Sequence, residues 1–421
     1  MSLFFKSFKL KKCRICGSKK ISKYIDLGKQ PPSNSFVKKK DLLKQKKYPL
    51  RVVLCKDCGL SQLDTVVSST SIFDKYAYLS STSQAVIITY GEMVKKLIKK
   101  FKPKKNDLII DIGSNDGITL DLYPKNKYNL LGVEPSSAIY YAKKKKLNCI
   151  KKFFNFDLSK KIKKKNGLAK IITASNVFAH NHNVNDFTKG IKNLLDKQNG
   201  VFIVEFPYVK DMLDKLYFDT IYHEHLSYFA ITPLDFLFKK HGLQIFDYER
   251  IPVGGSGPAF RVYVSHLNSN YSVSKKIDNI LKLEKNWGVK KLNEYNNFSK
   301  KVKNLRVKLL KIISDLNSKN NLVGAYGAAA KGNTMLNYLG MNSKKIFAVA
   351  DNSETKVNHY TPGSNIKIIP DSIFLQTKCK YALLLAWNYA DFFLKNSKFI
   401  KNKGKFILPL PKPKIIPNEK N

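Results

Sequence analysis

Residues 108–117 read LIIDIGSNDG, an apolar run that passes directly into a turn with a glycine at each end. The run has the character of a buried strand, and Gly113 and Gly117 allow the backbone to turn tightly and approach a ligand closely. Further apolar runs, separated by segments long enough for helices, occupy residues 130–133, 171–174 and 201–206. This alternation predicts an α/β fold with a parallel sheet covered by helices.

The turn predicts a nucleotide-like ligand, because ligands of α/β sheets bind where the strands end. It lacks the G-x-G-x-x-G spacing that holds a pyrophosphate, and it offers Asp111 and Asp116, whose carboxylates suit a cation. Glu134, at the end of the next strand, can hold ribose hydroxyls. These features favour S-adenosylmethionine (SAM) over NAD, with a plain βα turn as the alternative. The predicted SAM-binding residues are Asp111, Gly113, Asn115, Asp116, Gly117, Glu134, Pro135 and Asn176.

The third and fourth apolar runs lead into polar residues. The run at 171–174 continues as SNVFAH at 175–180, and the run at 201–206 leads to YHEH at 222–225. Catalytic groups collect at the carboxyl edge of such a sheet, and an imidazole with a pKa of about 6.5 suits proton removal at neutral pH. The YHEH segment therefore predicts acid–base chemistry; a metal site on its two histidines and a solvated cluster are the alternatives.

Four of the six cysteines form two C-x2-C pairs, Cys13 with Cys16 and Cys55 with Cys58. Four thiolates close a tetrahedral zinc site without an open coordination position, so the predicted zinc is structural. Cysteines that merely pack, and a zinc ribbon that binds nucleic acid, are the alternatives for this segment. The pattern suits a reducing compartment better than disulfide formation.

The net charge of +45 is typical of proteins that bind nucleic acid, but the type of basic residue disfavours that function. Of 76 basic residues only five are arginine, the residue suited to bidentate contacts with phosphate and guanine. The charge therefore predicts a solvated surface that attracts anionic substrates. No apolar run approaches the ~20 residues of a membrane span. We expect a soluble cytoplasmic protein without a membrane or nucleic-acid partner, and a monomer, with a dimer as the alternative.

A long amphipathic helix and a second βα alternation follow. Residues spaced by three and four positions form one apolar helical face: Phe298, Val302, Leu305, Leu309, Ile312 and Leu316. Candidate strands beyond it occupy residues 322–326, 347–350, 381–386 and 405–408. The sequence thus predicts a zinc-binding module at 1–75, a methyltransferase domain with a connecting helix at 76–300, and a second Rossmann-like domain at 301–421.

These motifs, in this order, resemble the zinc-containing, SAM-dependent C-methyltransferases of deoxysugar biosynthesis, which act at C-3 of dTDP-linked 4-keto sugars. The resemblance covers nearly the whole chain. Its most specific parts are YHEHLSYF at 222–229 and GAYGAAAKGN at 324–333, together with FDKYAYLSSTS at 73–83. It implies a zinc knuckle, a SAM-binding Rossmann-like domain, and a second Rossmann-like domain that helps to hold the sugar nucleotide.

The resemblance also implies roles for single residues. His225 and Tyr222 correspond to candidate bases, Glu224 to an orienting partner, and His180 and Tyr76 to polar groups that line the sugar pocket. The residues implied in substrate binding are Tyr78, Ser256, Arg261, Lys331, Asn333, Trp387 and Asn388. Where the family shows G-G-S followed closely by arginine, this chain reads GGSGPAFR at 254–261, so we expect a reshaped substrate-facing loop.

The expected reaction is base-catalysed enolate formation followed by methyl transfer to carbon. A ketone acidifies the neighbouring C–H bond and delocalises the carbanion, so the reaction needs a base and a donor to the enolate oxygen. Two alternatives stay open from the sequence: a methyltransferase whose acceptor is a sugar oxygen or nitrogen, and a zinc-ribbon protein that binds or modifies RNA.

Overall fold

The computed structural model of the chain describes residues 6–68, 72, 79–254 and 257–417. The chain forms two compact units, each assembled from three segments. Unit 1 comprises Met1–Ser22, Val53–Lys210 and Leu226–Glu294. Unit 2 comprises Lys23–Val52, Asp211–His225 and Tyr295–Asn421. Among the described residues, none of the helices combines the length and the apolar character that crossing a membrane requires.

Residues 6–68 contain five strands. They are β1 Phe8–Lys9, β2 Ile21–Gln30, β3 Tyr48–Cys55, β4 Ser61–Leu63 and β5 Thr65–Val66. β1 pairs with β5 in antiparallel register, Phe8 opposite Val66.

The main sheet of unit 1 has seven strands. In chain order they are β6 Leu108–Ile112, β7 Asn129–Val133, β8 Cys149–Ile150, β9 Ala169–Ser175, β10 Val201–Phe206, β12 Leu243–Gly254 and β13 Gly257–His266. The short strand β11, Ser227–Tyr228, lies between β10 and β12 in the sequence and is not part of this sheet. The spatial order is β12-β13-β10-β9-β6-β7-β8, and β6 to β10 pair in parallel. From β6 the chain continues through β7 to β8 at one edge of the sheet, and β9 then lies on the opposite side of β6. The topological switch point therefore lies between β6 and β9. The predicted α/β fold is confirmed, and its four predicted strands are β6, β7, β9 and β10.

Helices cover this sheet and connect it to the rest of the chain. They are α1 Gln84–Phe101, α2 Ile118–Asp121, α3 Ile139–Lys144, α4 Phe156–Asn166, α5 Val184–Leu194, α6 Val209–Asp214, α7 Ile231–Lys240, α8 Lys275–Trp287 and α9 Leu292–Ser318. α1 buries Val94, Leu97 and Phe101 in one apolar cluster with residues of the sheet. Burial of such side chains, at about 1.5–3 kcal/mol each, fixes the sheet that carries the glycine turn.

Unit 2 contains a second doubly wound sheet. Its strands are β14 Val323–Tyr326, β15 Val349–Ala350, β16 Ile368–Ile369, β17 Tyr381–Leu384, β18 Lys405–Leu408 and β19 Lys414–Ile416. The order is β16-β15-β14-β17-β18-β19, with only β19 antiparallel to its neighbour. The switch point therefore lies between β14 and β17. The remaining helices are α10 Ala330–Leu339, α11 Asp371–Phe374, α12 Ala390–Asn396 and α13 Lys398–Lys401.

The predicted apolar face of α9 is correct except at one position. Phe298, Val302, Leu305 and the residues that continue the stripe are buried, but Ile313 is buried where Ile312 was expected. Both positions lie about one turn beyond Leu309, because an α-helix has about 3.6 residues per turn. Spacing alone admits either isoleucine, and packing of the helix selects Ile313.

Candidate active site

The four predicted zinc ligands converge in unit 1. All four Sγ atoms lie within 4.8 Å of one another, with 3.5 Å between Cys13 and Cys58 and 3.5 Å between Cys16 and Cys55. At a Zn–S bond length of about 2.3 Å, a tetrahedral site places its sulfurs about 3.8 Å apart, so the cluster fits zinc with little adjustment. Among the residues that the structure describes, no other group of three or more potential ligands is this close. These four cysteines are therefore the candidate ligand set of the predicted structural zinc.

Arg14, between the first two ligands, ties the zinc loop to its surroundings in unit 1. Its guanidinium donates to the carbonyl oxygen of Leu63 at 3.1 Å and to that of Leu226. The amide of Asn185 donates to the carbonyl oxygens of Arg14 and Ile15, at 2.7 and 3.0 Å. Burial lowers the pKa of Arg14 to about 10, which leaves it charged at neutral pH. These contacts suit a structural zinc that holds several segments together.

The glycine turn of unit 1 has the geometry that the sequence predicts. Gly113 has φ +70°, and a Cβ there would lie 2.2 Å from Cγ2 of Val177, so no other residue fits. Glu134 directly follows β7, and its two carboxylate oxygens accept hydrogen bonds from the amides of Asn115 at 2.9 Å and Ser136 at 2.7 Å. The strand-end acid therefore lies against the turn, and its role in binding ribose stays a prediction.

The other predicted SAM-binding residues surround the same switch point. Oδ1 of Asn115 and Oδ2 of Asp116 accept from the amides of Ser80 and Ser81, each at 2.9 Å. Asp111, in β6, accepts from Oγ1 of Thr173 at 2.6 Å, and burial raises its pKa to about 7. Pro135 follows Glu134, Gly117 caps the turn with φ +79°, and Asn176 follows β9 with φ +57°. The structure thus brings these residues to the carboxyl ends of β6, β7 and β9.

Two further predicted site residues lie in unit 1. His180 ends the 3-10 helix Phe178–His180 and is partly buried. Arg261 lies in β13, where its guanidinium donates to Glu205 at 2.8 Å and to Glu249 at 3.0 Å. The contacts with the buried Glu205 and the half-buried Glu249 favour a structural role for Arg261 in the sheet. The predicted residues Tyr76, Tyr78 and Ser256 lie outside the described residues.

The YHEH segment belongs to unit 2 and follows the 3-10 helix Phe218–Thr220. Nδ1 of His225 lies 2.8 Å from the carbonyl oxygen of Thr220, and the Tyr222 and His225 rings are 4.0 Å apart. A carbonyl oxygen only accepts, so Nδ1 carries the proton and Nε2 carries the lone pair of the neutral ring. Burial lowers the pKa of His225 to about 4, so the ring is neutral at pH 7.

His223 and Glu224 have different partners. Nε2 of His223 lies 3.3 Å from the carbonyl oxygen of Pro49, and burial lowers the pKa of His223 to about 4. Among the described residues, neither histidine belongs to a group of three or more His, Cys, Asp or Glu side chains whose ligand atoms lie close enough to hold a metal ion, which disfavours a metal site on the two histidines. Glu224 is buried, and Nδ2 of Asn34 donates to its two oxygens at 2.8 and 3.0 Å. Burial raises the pKa of Glu224 to about 7.

A second polar cluster in unit 2 lies at the switch point between β14 and β17. Lys331 lies in the first turn of α10, and its Nζ is 2.5 Å from Oδ1 of Asn388 and 3.9 Å from the centroid of the Trp387 ring. The indole of Trp387 donates to Oδ2 of Asp219 at 2.6 Å. Burial lowers the pKa of Lys331 to about 8 and raises that of Asp219 to about 6. The fourth predicted residue, Asn333, is buried and donates to the carbonyl oxygen of Ser33 at 2.7 Å.

Asp351, which follows β15, is a site residue that the sequence motifs did not predict. Its two oxygens accept from the amides of Ala328 at 2.7 Å and Ser353 at 2.8 Å. Glu134 makes the same pair of contacts in the first sheet: one to the glycine turn and one to the residue two positions on. The sequence signal that could have identified Asp351 is an acidic residue directly after the predicted strand at 347–350, as Glu134 directly follows the predicted strand at 130–133.

Three family models match consecutive parts of the chain: a putative zinc binding domain at residues 13–73, a methyltransferase domain at 89–247, and a C-methyltransferase C-terminal domain at 253–411. The chain is also similar to the C-methyltransferase NovU of Streptomyces niveus, at 28% identity over 410 residues that cover 97% of each protein.

Solved structures give weaker likenesses. The magnesium protoporphyrin IX methyltransferase ChlM of Synechocystis PCC 6803 with bound SAM is 12% identical and covers 43% of this chain and 80% of its own, with a TM-score of 0.32. The carbon methyltransferase of CurJ is 11% identical over 44% of this chain and 57% of its own, with a TM-score of 0.33. At such TM-scores neither bears on function. The order of the three matched domains and the full-length similarity to NovU support a SAM-dependent C-methyltransferase that carries a zinc-binding domain.

Proposed function

We propose that the protein transfers the methyl group of SAM to a ring carbon beside the ketone of a nucleotide-linked 4-keto deoxysugar, with dTDP as the nucleotide. The observation that carries this proposal is the neutral imidazole of His225, held through Nδ1 by Thr220 and next to the ring of Tyr222. A C–H bond beside a ketone loses its proton only to a positioned base, and a neutral imidazole with its lone pair on Nε2 is such a base.

In the proposed mechanism, His225 removes the proton from the carbon beside the ketone, with Tyr222 as the alternative base. The electron pair delocalises onto the ketone oxygen as an enolate, to which His180 or Tyr76 would donate a hydrogen bond. SAM, when bound, supplies a methyl group activated by its sulfonium charge. The bound cofactor would give this methyl group to the enolate carbon and leave as the neutral thioether, and the base would release its proton to solvent. A base of this kind contributes about 10²–10⁴-fold and an oxyanion donor about 10²–10³-fold.

The nucleotide part of the substrate is proposed to bind at the switch point of the unit 2 sheet. Lys331 presents its ammonium group in the first turn of α10, and both the charge and the helix N-terminus suit a diphosphate. Trp387 and Asn388 follow β17 at the same edge, and Asp351 would accept a hydrogen bond from a hydroxyl of the nucleoside sugar. The excess of positive charge on the chain favours encounter with such an anion.

Lys331→Met should raise the KM for the sugar nucleotide about tenfold or more and leave the KM for SAM unchanged, since a hydrogen bond to a charged group contributes ~1.5–3 kcal/mol. Burial lowers the pKa of Lys331 to about 8, so its cation is lost as the pH rises through 8. The wild-type KM for the sugar nucleotide should therefore increase above pH 8, and the KM of the variant should not. Lys344→Met, at an exposed lysine of the same unit, controls for general charge loss. An effect of Lys331→Met on SAM alone would refute the assignment.

Glu134→Ala should weaken SAM binding about tenfold or more, because it removes the charged acceptor that lies against the glycine turn. Isothermal calorimetry with SAM measures this directly. Glu134→Gln keeps the size of the side chain but removes its charge. Comparison of the two variants therefore distinguishes the effect of the lost charge from the effect of a distorted turn. Unchanged SAM affinity in both variants would show that the ribose is held elsewhere.

The proposed substrate class is tested by incubating the protein and SAM with a panel of nucleotide-linked keto sugars and matched hydroxy sugars. We expect methylation of a dTDP-linked 4-keto deoxysugar, with the new methyl group on carbon in the NMR spectrum of the product. A product methylated on oxygen or nitrogen would overturn the proposed enolate mechanism.

A further inference from the structure

The proline-rich loop at residues 31–34 is held by two other segments of unit 2. The carbonyl oxygen of Ser33 accepts from Nδ2 of Asn333 at 2.7 Å, and the hydroxyls of Ser33 and Thr334 are 3.2 Å apart. Thr334 Oγ1 also donates to the carbonyl oxygen of Ile221, directly before the YHEH segment, at 3.2 Å. The start of α10 therefore holds both the proline-rich loop and the residue before the YHEH segment, which is called the base-bearing segment below because it carries His225 and Tyr222.

From this fixed loop, Asn34 reaches Glu224, 190 positions away in the sequence. One amide nitrogen donates to both carboxylate oxygens, at 2.8 and 3.0 Å, and Glu224 is 2% exposed. A buried carboxylate without a donor loses its charge, because burial penalises the ionised form. Hydrogen bonds from the amide favour the ionised form and also define where the carboxylate lies.

We propose that Asn34 is a positioning residue for methyl transfer, which keeps Glu224 ionised and in one orientation within the base-bearing segment. The inference rests on the proposed function, in which His225 becomes a cation when it accepts the substrate proton. In this proposal the ionised carboxylate of Glu224 would stabilise that cation, because an opposite charge nearby favours the charged form of an imidazole. Asn34 would then act through Glu224 without contact with the reacting atoms.

Among the described residues, the side chain that acts on the pKa of Glu224 is Asn34. The pKa of Glu224 is raised to about 7 by burial, and the Asn34 amide opposes that rise. The titratable neighbours in its own segment are Tyr222, His223 and His225, and both histidines are neutral at pH 7 because burial lowers their pKa values to about 4. Loss of the Asn34 amide should therefore raise the pKa of Glu224, and neither histidine offers a positive charge at pH 7 that would oppose the rise.

The direct test is a titration of the full-length protein labelled with carbon-13 at the glutamate carboxyl group, with Glu224→Gln identifying the Glu224 signal. We expect Asn34→Ala to raise the pKa of Glu224 by about one to two pH units, the equivalent of a lost hydrogen bond to a charged group. In Asn34→Asp the side chain keeps its shape but places a second carboxyl group next to Glu224. The repulsion between two negative charges should raise the pKa of Glu224 further. An unchanged titration midpoint in both variants would refute the proposal.

The matching kinetic test is the pH profile of kcat at saturating SAM and keto-sugar nucleotide. Asn34→Ala should move the acidic limb to higher pH by the same amount and regain most of its activity near pH 9, with KM values within a few-fold of wild type. A merely structural defect would lower kcat equally at every pH. Gln45→Ala is the matched control, since Gln45 ties the same chain segment to Gly363 and Asn365 away from Glu224. Its profile should follow wild type.

The two tests separate this inference from the proposed function. If wild-type protein methylates none of the keto-sugar nucleotides, the proposed function fails, and the carbon-13 titration still decides the role of Asn34 toward Glu224. If the protein is active and the Asn34 variants titrate and turn over like wild type, the proposed function stands and the positioning role is wrong.

Discussion

His225→Asn should lower kcat by about 10²–10⁴-fold, the contribution of a positioned general base, and leave the affinities for SAM and sugar nucleotide within a few-fold of wild type. Asparagine keeps a polar group near the Thr220 carbonyl but has no basic nitrogen to accept the proton from carbon. Steady-state kinetics together with calorimetry of both ligands measure the two quantities. Loss of binding in proportion to the loss of turnover would show that His225 holds the ligand instead.

Tyr222→Phe is the companion variant, because the two rings are 4.0 Å apart and either could be the base. If Tyr222→Phe is the more damaging change, the phenol is the base and the imidazole orients it. Exchange of solvent deuterium into the carbon beside the ketone reports proton removal without methyl transfer. The variant that lacks the base should lose this exchange, and the other should retain it.

Cys55→Ser should remove the zinc and destabilise unit 1 enough that most of the protein is lost to aggregation. Zinc contributes about 10–16 kcal/mol to the folding of small zinc modules, which exceeds the stability of most domains. The loop that carries Cys13 and Cys16 also carries Arg14, whose contacts join it to the carbonyls of Leu63 and Leu226. Metal analysis should find one zinc per wild-type chain, and thermal unfolding should show a large decrease in Tm for any soluble variant.

Cys149→Ser is the matched control, because Cys149 lies outside the cluster of four thiols. It should retain one zinc and a Tm close to that of wild type. A chelator should inactivate the wild-type protein only as fast as it unfolds the protein. Immediate loss of turnover in a folded protein would mean that the zinc takes part in the reaction.

The sequence predicted the features that depend on neighbouring residues. Strands β6, β7, β9 and β10 follow from local apolar runs, and the glycine turn after β6 follows from the glycines at 113 and 117. The zinc ligands follow from the spacing within each C-x2-C pair, which lets two thiolates face one ion. In each case a few consecutive residues specify the backbone conformation and the chemistry together, so one sequence is enough.

The tertiary structure alone decided which distant residues meet. It places residues 23–52 and 211–225 in unit 2, gives Glu224 its donor from Asn34, and pairs Arg261 with Glu205 and Glu249. It also selects Ile313 over Ile312 in α9. A buried carboxylate needs a donor, but nothing in the local pattern says which part of the chain supplies it. That partner is fixed by the path of the folded backbone, because hydrogen bonds and packing act over a few ångströms in space, whatever the separation in sequence.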